Sequence, residues 1–183
     1  MGDCLGFRRD TGISPSTGKI YKFTEALRPE YAQNILTYDE QVACLLRHGF
    51  GLWDIVGSCK RPGSLDKDIT EAQPNKIREL AAQYPSLKRI VISNGGLAAT
   101  TFVKSFPDWC QSGELQANND EMSQKVLGKK LKGSTDAPIT VVVAMSPSPA
   151  AASASYETKR DFWERHVFEP GKRDHQARQL EKE

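Results

Sequence analysis

Ile139-Thr140-Val141-Val142-Val143 is a β-branched apolar run, the pattern of a strand buried on both faces. Shortly after it the chain enters Met145-Ser146-Pro147-Ser148-Pro149. The prolines fix φ twice and remove two backbone donors, so neither strand nor helix continues through them. A helix is expected to begin near Ser155, with Phe162, Trp163 and Val167 at helical spacing. Strand, stiff loop and helix together form the α/β unit, in which working loops sit at the carboxyl ends of strands. A rigid loop of small, hydroxyl-bearing residues can press against a polyanion backbone with little loss of entropy.

The rest of the chain repeats that alternation. Residues 1–36 are rich in glycine and turn signals and are expected to be irregular. Thr37-Tyr38-Asp39-Glu40 is a capping box that opens a helix ending at Gly49. Phe50 to Val56 reads as a strand and Gly57 to Thr70 as a loop around Pro62-Gly63-Ser64. Pro74-Asn75 is expected to cap a helix with Ile77, Leu80, Ala81 and Tyr84 facing inward. Arg89 to Ile92 reads as another strand, followed by Ser93-Asn94-Gly95-Gly96 and a helix bearing Leu97, Phe102 and Val103. Residues 107–137 read as a surface excursion with one short helix near Met122 to Leu127, and the charged residues after Pro170 as a frayed tail. Three strands alternating with helices imply a parallel sheet. A doubly covered sheet of this kind usually has a fourth strand, so one is expected to be missing or hidden. The expected organisation is an irregular segment over 1–36, one α/β domain over 37–169 and a tail over 170–183.

At 183 residues the chain can bury a core of its own. No segment is apolar for the length of a membrane span, and no signal peptide is read at the start. Cys4, Cys44, Cys59 and Cys110 are widely spaced; they suggest reduced thiols in an intracellular protein rather than a zinc site. The net charge of +2 does not by itself identify a nucleic-acid partner, although basic residues pair up locally, as at Lys60-Arg61.

Three polar groups fall at the expected strand ends. Asp54 sits within the apolar Leu52-Trp53-Asp54-Ile55-Val56 run. A buried carboxylate needs a partner, either a loop amide or Lys60, or it faces a pocket and contacts a polar ligand. Asn94 can donate and accept, or simply cap the helix that follows. Ser146 and Ser148 form the third group, or a plain turn. Trp53 suits the core or a base-stacking platform. No Ser-His-Asp order is visible among His48, His166 and His175, and Gly95-Gly96 lacks the residues of a phosphate loop.

The blocks Phe50-Gly51-Leu52-Trp53-Asp54-Ile55-Val56-Gly57-Ser58-Cys59 and Lys60-Arg61-Pro62-Gly63-Ser64-Leu65-Asp66, with Ser93-Asn94-Gly95-Gly96 and Ser146-Pro147-Ser148-Pro149-Ala150, resemble the uracil-DNA glycosylase superfamily. Within it the resemblance is to the hypoxanthine (deoxyinosine) DNA glycosylases, over about residues 38–168. It implies a three-layer α/β/α sandwich with a four-stranded central sheet. It also implies hydrolytic removal of a deaminated base, hypoxanthine or uracil, from DNA by a monomer without metal or cofactor, in the nucleus, cytoplasm or an organelle. Base contact would fall to Asp54, Asn94 and Trp53, and DNA-backbone contact to Ser146, Pro147, Ser148, Pro149, Lys60 and Arg61. The histidine that some members carry just before the serine-proline loop has no counterpart at Met145-Ser146. The family's first strand and Asn-Pro-Arg-Asn segment, which bind the base and position water, have no counterpart either. The catalytic residues are therefore unassigned. The chain is expected to be N-terminally truncated relative to the family, with weak or absent activity. The rival expectations are a DNA-binding remnant of such an enzyme and an unrelated small-molecule hydrolase on a flavodoxin-like sheet.

Overall fold

In a computed structural model, β-branched residues 139–143 form the middle strand of a three-stranded parallel sheet. The structure describes residues 2–14, 16–21, 23–63, 68–148, 151 and 153–181. They divide into two compact units, residues 52–143 and residues 1–51 with 144–183.

The first unit opens with an antiparallel hairpin, β1 (Val56–Lys60) and β2 (Thr70–Pro74), continued by α3 (Ile77–Gln83). Then come β3 (Arg89–Ile92), α4 (Gly95–Ser105), α5 (Pro107–Gln111), β4 (Leu115–Ala117), α6 (Glu121–Leu127) and β5 (Ile139–Val143). The sheet order is β3-β5-β4, every pair parallel. Val141, Val142 and Val143 are fully buried, as a central parallel strand requires. Phe102, Trp109, Leu115 and Leu127 pack in the same core. The chain is thus mixed α/β.

Several expectations give way. The strand expected over 50–56 begins only at Val56, and residues 57–60, expected as loop, belong to it. Its partner, Thr-Glu-Ala-Gln-Pro, is fully exposed and carries no apolar signal, so only backbone pairing identifies it. Nor does this strand join the parallel sheet; β4 does. That strand lies in the stretch expected to be a surface excursion, which instead contributes Trp109, Cys110, Leu115, Leu127 and Leu131 to the core. Tyr84, expected inside, is 57% exposed.

In the second unit, α1 (Gly2–Leu5) and α2 (Tyr38–Arg47) accompany a long C-terminal helical run. The capping box is present in full: Thr37 Oγ1 accepts from the Glu40 amide and Glu40 accepts from the Thr37 amide. The C-terminal run is α7 (Tyr156–Trp163), a π-type turn over Glu164–Phe168, and α8 (Glu169–Leu180). The frayed tail is therefore helical to Leu180. Pro170 lies within this continuous run, directly after the π-type turn, and its ring nitrogen has no hydrogen to donate to the helical ladder. Gly171 gives the Phe50 ring room, since a Cβ there would lie 2.5 Å from it.

The irregular N-terminal segment is tied down by charge. Asp3, buried, accepts from Arg8 Nη1 at 2.7 Å and from the Arg28 amide at 3.1 Å. Arg8 Nη2 donates to the Arg28 carbonyl. Arg28 in turn places its fork on Glu164, at 2.9 and 2.5 Å. A bidentate pair of this kind fixes direction as well as distance.

Candidate nucleic-acid interface

β3 and β5 end in register, Ile92 opposite Val143, so the chain leaves both strands at one edge of the sheet. Beyond β3 comes the Ser93-Asn94 turn. Gly95 takes φ +63°, a left-handed conformation suited to glycine, and α4 starts there. Asn94 occupies the N-cap position, but its side chain makes no capping bond to the helix, and it is exposed. The capping role weighed for that side chain is thus not the one it performs.

Asp54 and Trp53 are placed differently from expectation. Both precede β1 in a segment outside regular structure, and both are exposed, Trp53 by 63%. The buried carboxylate inferred from the apolar run does not exist: Leu52, beside it, is itself 60% exposed. An exposed carboxylate keeps its water and needs no partner. Asp54 is thus not at the carboxyl end of a sheet strand. Lys60 is at the end of β1, its Nζ 2.7 Å from Glu71 Oε1 across the hairpin. Arg61 follows it, exposed. Ser64, Leu65 and Asp66 of the sequence block lie outside the described residues.

Beyond β5 the serine-proline loop begins, and helix α7 holds it. Trp163 Nε1 donates to the Met145 carbonyl at 2.9 Å. Lys159 Nζ donates to the Ser148 carbonyl at 2.9 Å and to the Ala151 carbonyl at 2.5 Å. The Ala151 amide also donates to the Ser148 carbonyl, at 3.2 Å. Lys159 and Trp163 are one helical turn apart and share a face. Ser155 caps this helix by accepting from the Thr158 amide at 3.2 Å, so its start is fixed as the sequence indicates. Within the loop Ser146 Oγ accepts from the Ser148 amide at 3.3 Å, and Pro147 and Ser148 are exposed. Pro149 and Ala150 lie outside the described residues. Lys159, 9% exposed, drew no notice in the sequence. Its one signal is a lone lysine a helical turn before an apolar tryptophan.

Other chemistry is sparse. Cys59 is exposed, while Cys4, Cys44 and Cys110 are buried free thiols. Burial pushes the Cys4 and Cys110 thiols up, which disfavours the reactive thiolate. Among the described residues no three His, Cys, Asp or Glu side chains gather as a metal site. None of the described helices is long and apolar enough to cross a membrane. Two concavities, of about 300 and 340 Å³, are lined from Pro74 to Trp109 in one unit and from Arg8 to Ala32 in the other. Neither wall includes Asp54, Asn94 or Ser146. No protein-family model, curated protein or solved structure matches the chain.

Proposed function

We propose that this chain is a DNA-repair protein of the glycosylase type, a member of the uracil-DNA glycosylase superfamily on a three-layer α/β/α plan. Its loop after β5 grips the DNA backbone, and a deaminated base, hypoxanthine or uracil, is the target. The observation that carries this reading is the loop's construction. Its Met145, Ser148 and Ala151 carbonyls bond to donors on one helix. Carbonyl oxygens repel a phosphate; satisfying three of them within the protein leaves the exposed Pro147 and Ser148 for a polyanion to meet. The sequence blocks around Trp53-Asp54, Asn94 and the loop add support.

The work then divides by residue. Ser146, Pro147 and Ser148 position the backbone, with Arg61 and Lys60 adding charge; such contacts hold the duplex without reading sequence. A base stacked in a duplex must be swung out before its bond to the sugar can be reached, at a cost of a few kcal/mol. Asn94 reads the extruded base edge through its paired donor and acceptor. Trp53, exposed, is available to stack on a base. Asp54, also exposed, can accept from a ring N–H. Water is the second substrate, and no cofactor is required. The protein acts as a monomer.

A second reading has its own support. The exposure of Asp54, away from the sheet strands, favours a protein that holds DNA without cleaving the base–sugar bond. Single-turnover excision, with protein in excess over duplexes carrying one hypoxanthine, one uracil or no damage, separates the two. Alkali-sensitive cleavage at either damaged base alone supports the glycosylase. No cleavage, with binding retained, selects the DNA-holding protein. Neither cleavage nor binding overturns both.

A further inference from the structure

We infer that Lys159, backed by Trp163, is a positioning residue. From one face of α7 it locks the serine-proline loop in the shape that receives a phosphate, and it never touches the phosphate itself. This rests on the proposed DNA-backbone grip.

Lysine is seldom buried, because its ammonium loses water. Here Lys159 is 9% exposed, and its ammonium meets two loop carbonyls, Ser148 at 2.9 Å and Ala151 at 2.5 Å. Ser148 directly follows Pro147, whose ring nitrogen has no hydrogen to donate to a loop bond. A turn closed only by the Ala151 amide on the Ser148 carbonyl would rest on a single 3.2 Å bond. Lys159 adds two charge-assisted bonds across the same ends, stronger than neutral ones. One helical turn further, Trp163 fixes Met145 at the loop's other side. Two of the ammonium's three donors thus go to loop carbonyls. Its effect on a phosphate is to turn carbonyl oxygens away and to hold Pro147 and Ser148 outward.

A direct phosphate contact and a positioning role differ in salt dependence. Each lysine that neutralises a phosphate adds about 0.7–0.9 to the slope of log affinity against log salt. The full chain and its Lys159→Met, Lys159→Arg and Trp163→Phe variants are compared by binding to a labelled DNA duplex over a salt series. Amide hydrogen exchange at Ser148 and Ala151 is measured without DNA. Lys159→Met is expected to weaken binding about tenfold with the salt slope unchanged, and to speed exchange at Ser148 and Ala151. Lys159→Arg, which keeps donors, is expected to recover most of both.

A slope smaller by about one unit makes Lys159 a direct phosphate ligand and overturns the inference. Unchanged affinity, or unchanged exchange, overturns it as well. If Lys159→Met does not fold, Trp163→Phe carries the same test, because it removes the Met145 bond and keeps an apolar ring in place; loop exchange must rise and affinity fall with the slope preserved. If the unmodified chain does not bind DNA while Lys159→Met still loosens the loop, the DNA reading fails and the clamp stands.

Discussion

The amide of Val143, the last residue of β5, should expose how the sheet edge is finished. β4 is three residues long and reaches only Ala117, which faces Val141. Two residues further along β5, on the β4 side, no strand among the described residues pairs with Val143. Helix α6 supplies the acceptor instead: Ser123 Oγ takes the Val143 N–H at 2.9 Å, and both residues are fully buried. Ser123→Ala removes that acceptor and leaves a buried donor unsatisfied, at a cost of about 1–3 kcal/mol. The Ser123 amide remains capped by Asp120 Oδ1 at 2.9 Å, so the substitution isolates the hydroxyl. For a chain of this size each kcal/mol lowers Tm by about 2–4 °C, and a mid-range loss therefore by about 4–8 °C. Urea unfolding should show a lower midpoint at unchanged slope, and amide exchange at Val143 should accelerate. A midpoint shift worth less than about 0.5 kcal/mol, with Val143 exchange unaltered, would refute the reasoning. The chain enters the serine-proline loop directly after Val143, so the same variant tests whether this strand end must be fixed for the loop to work.

Two further outcomes concern pH. Burial works to raise the Glu114 carboxyl, but bonds donated by Trp109 Nε1 and Arg78 outweigh it and hold the group below its ordinary range. Its contribution to stability is present above about pH 4.3, the unfolded value, and is lost as pH falls through the lowered one. Glu114→Gln should flatten the acid side of the urea-midpoint curve; a curve parallel to the unmodified protein's would contradict this. Burial, and then the Asp3 carboxylate, push the Tyr156 phenol above the usual tyrosine range. Tyr156 should give a component that titrates above the usual tyrosine range by ultraviolet absorbance. The stability it adds is present below about pH 10 and lost as pH rises beyond it. Tyr156→Phe should remove the late-titrating component, and survival of that component would contradict the assignment.

Where side-chain chemistry is local, the fold was readable from the sequence. Thr37 and Glu40 announced their helix, Ser155 announced α7, and the β-branched runs at 89–92 and 139–143 marked their strands to the residue. Reading failed where pairing alone decides. The partner of β1 is a polar exposed strand, so Leu52-Trp53-Asp54-Ile55-Val56 looked like the strand itself. Leu115 to Ala117 was too short to signal β4 amid polar neighbours, although Leu115 and Leu127 are fully buried. The charged C-terminal residues hold a helix because tertiary contacts anchor it, including Lys172 Nζ on the Cys4 carbonyl at 2.8 Å. At the candidate site the serine-proline loop and Asn94 were legible from turn chemistry. Lys159 was not, because a lysine's burial depends on what packs over it. Asp54 was misjudged for the converse reason: apolar neighbours in sequence did not make an apolar surrounding.

Salt dependence of DNA binding by the full chain bears most directly on the loop as a backbone grip. Fluorescence anisotropy with a labelled duplex, between about 50 and 200 mM salt, should give log affinity falling steeply with log salt, with a slope of about −3 for a three- or four-phosphate contact. Ser146→Ala combined with Ser148→Ala should weaken binding at every salt concentration. A flat salt profile, or full affinity in the doubly substituted protein, would contradict the grip.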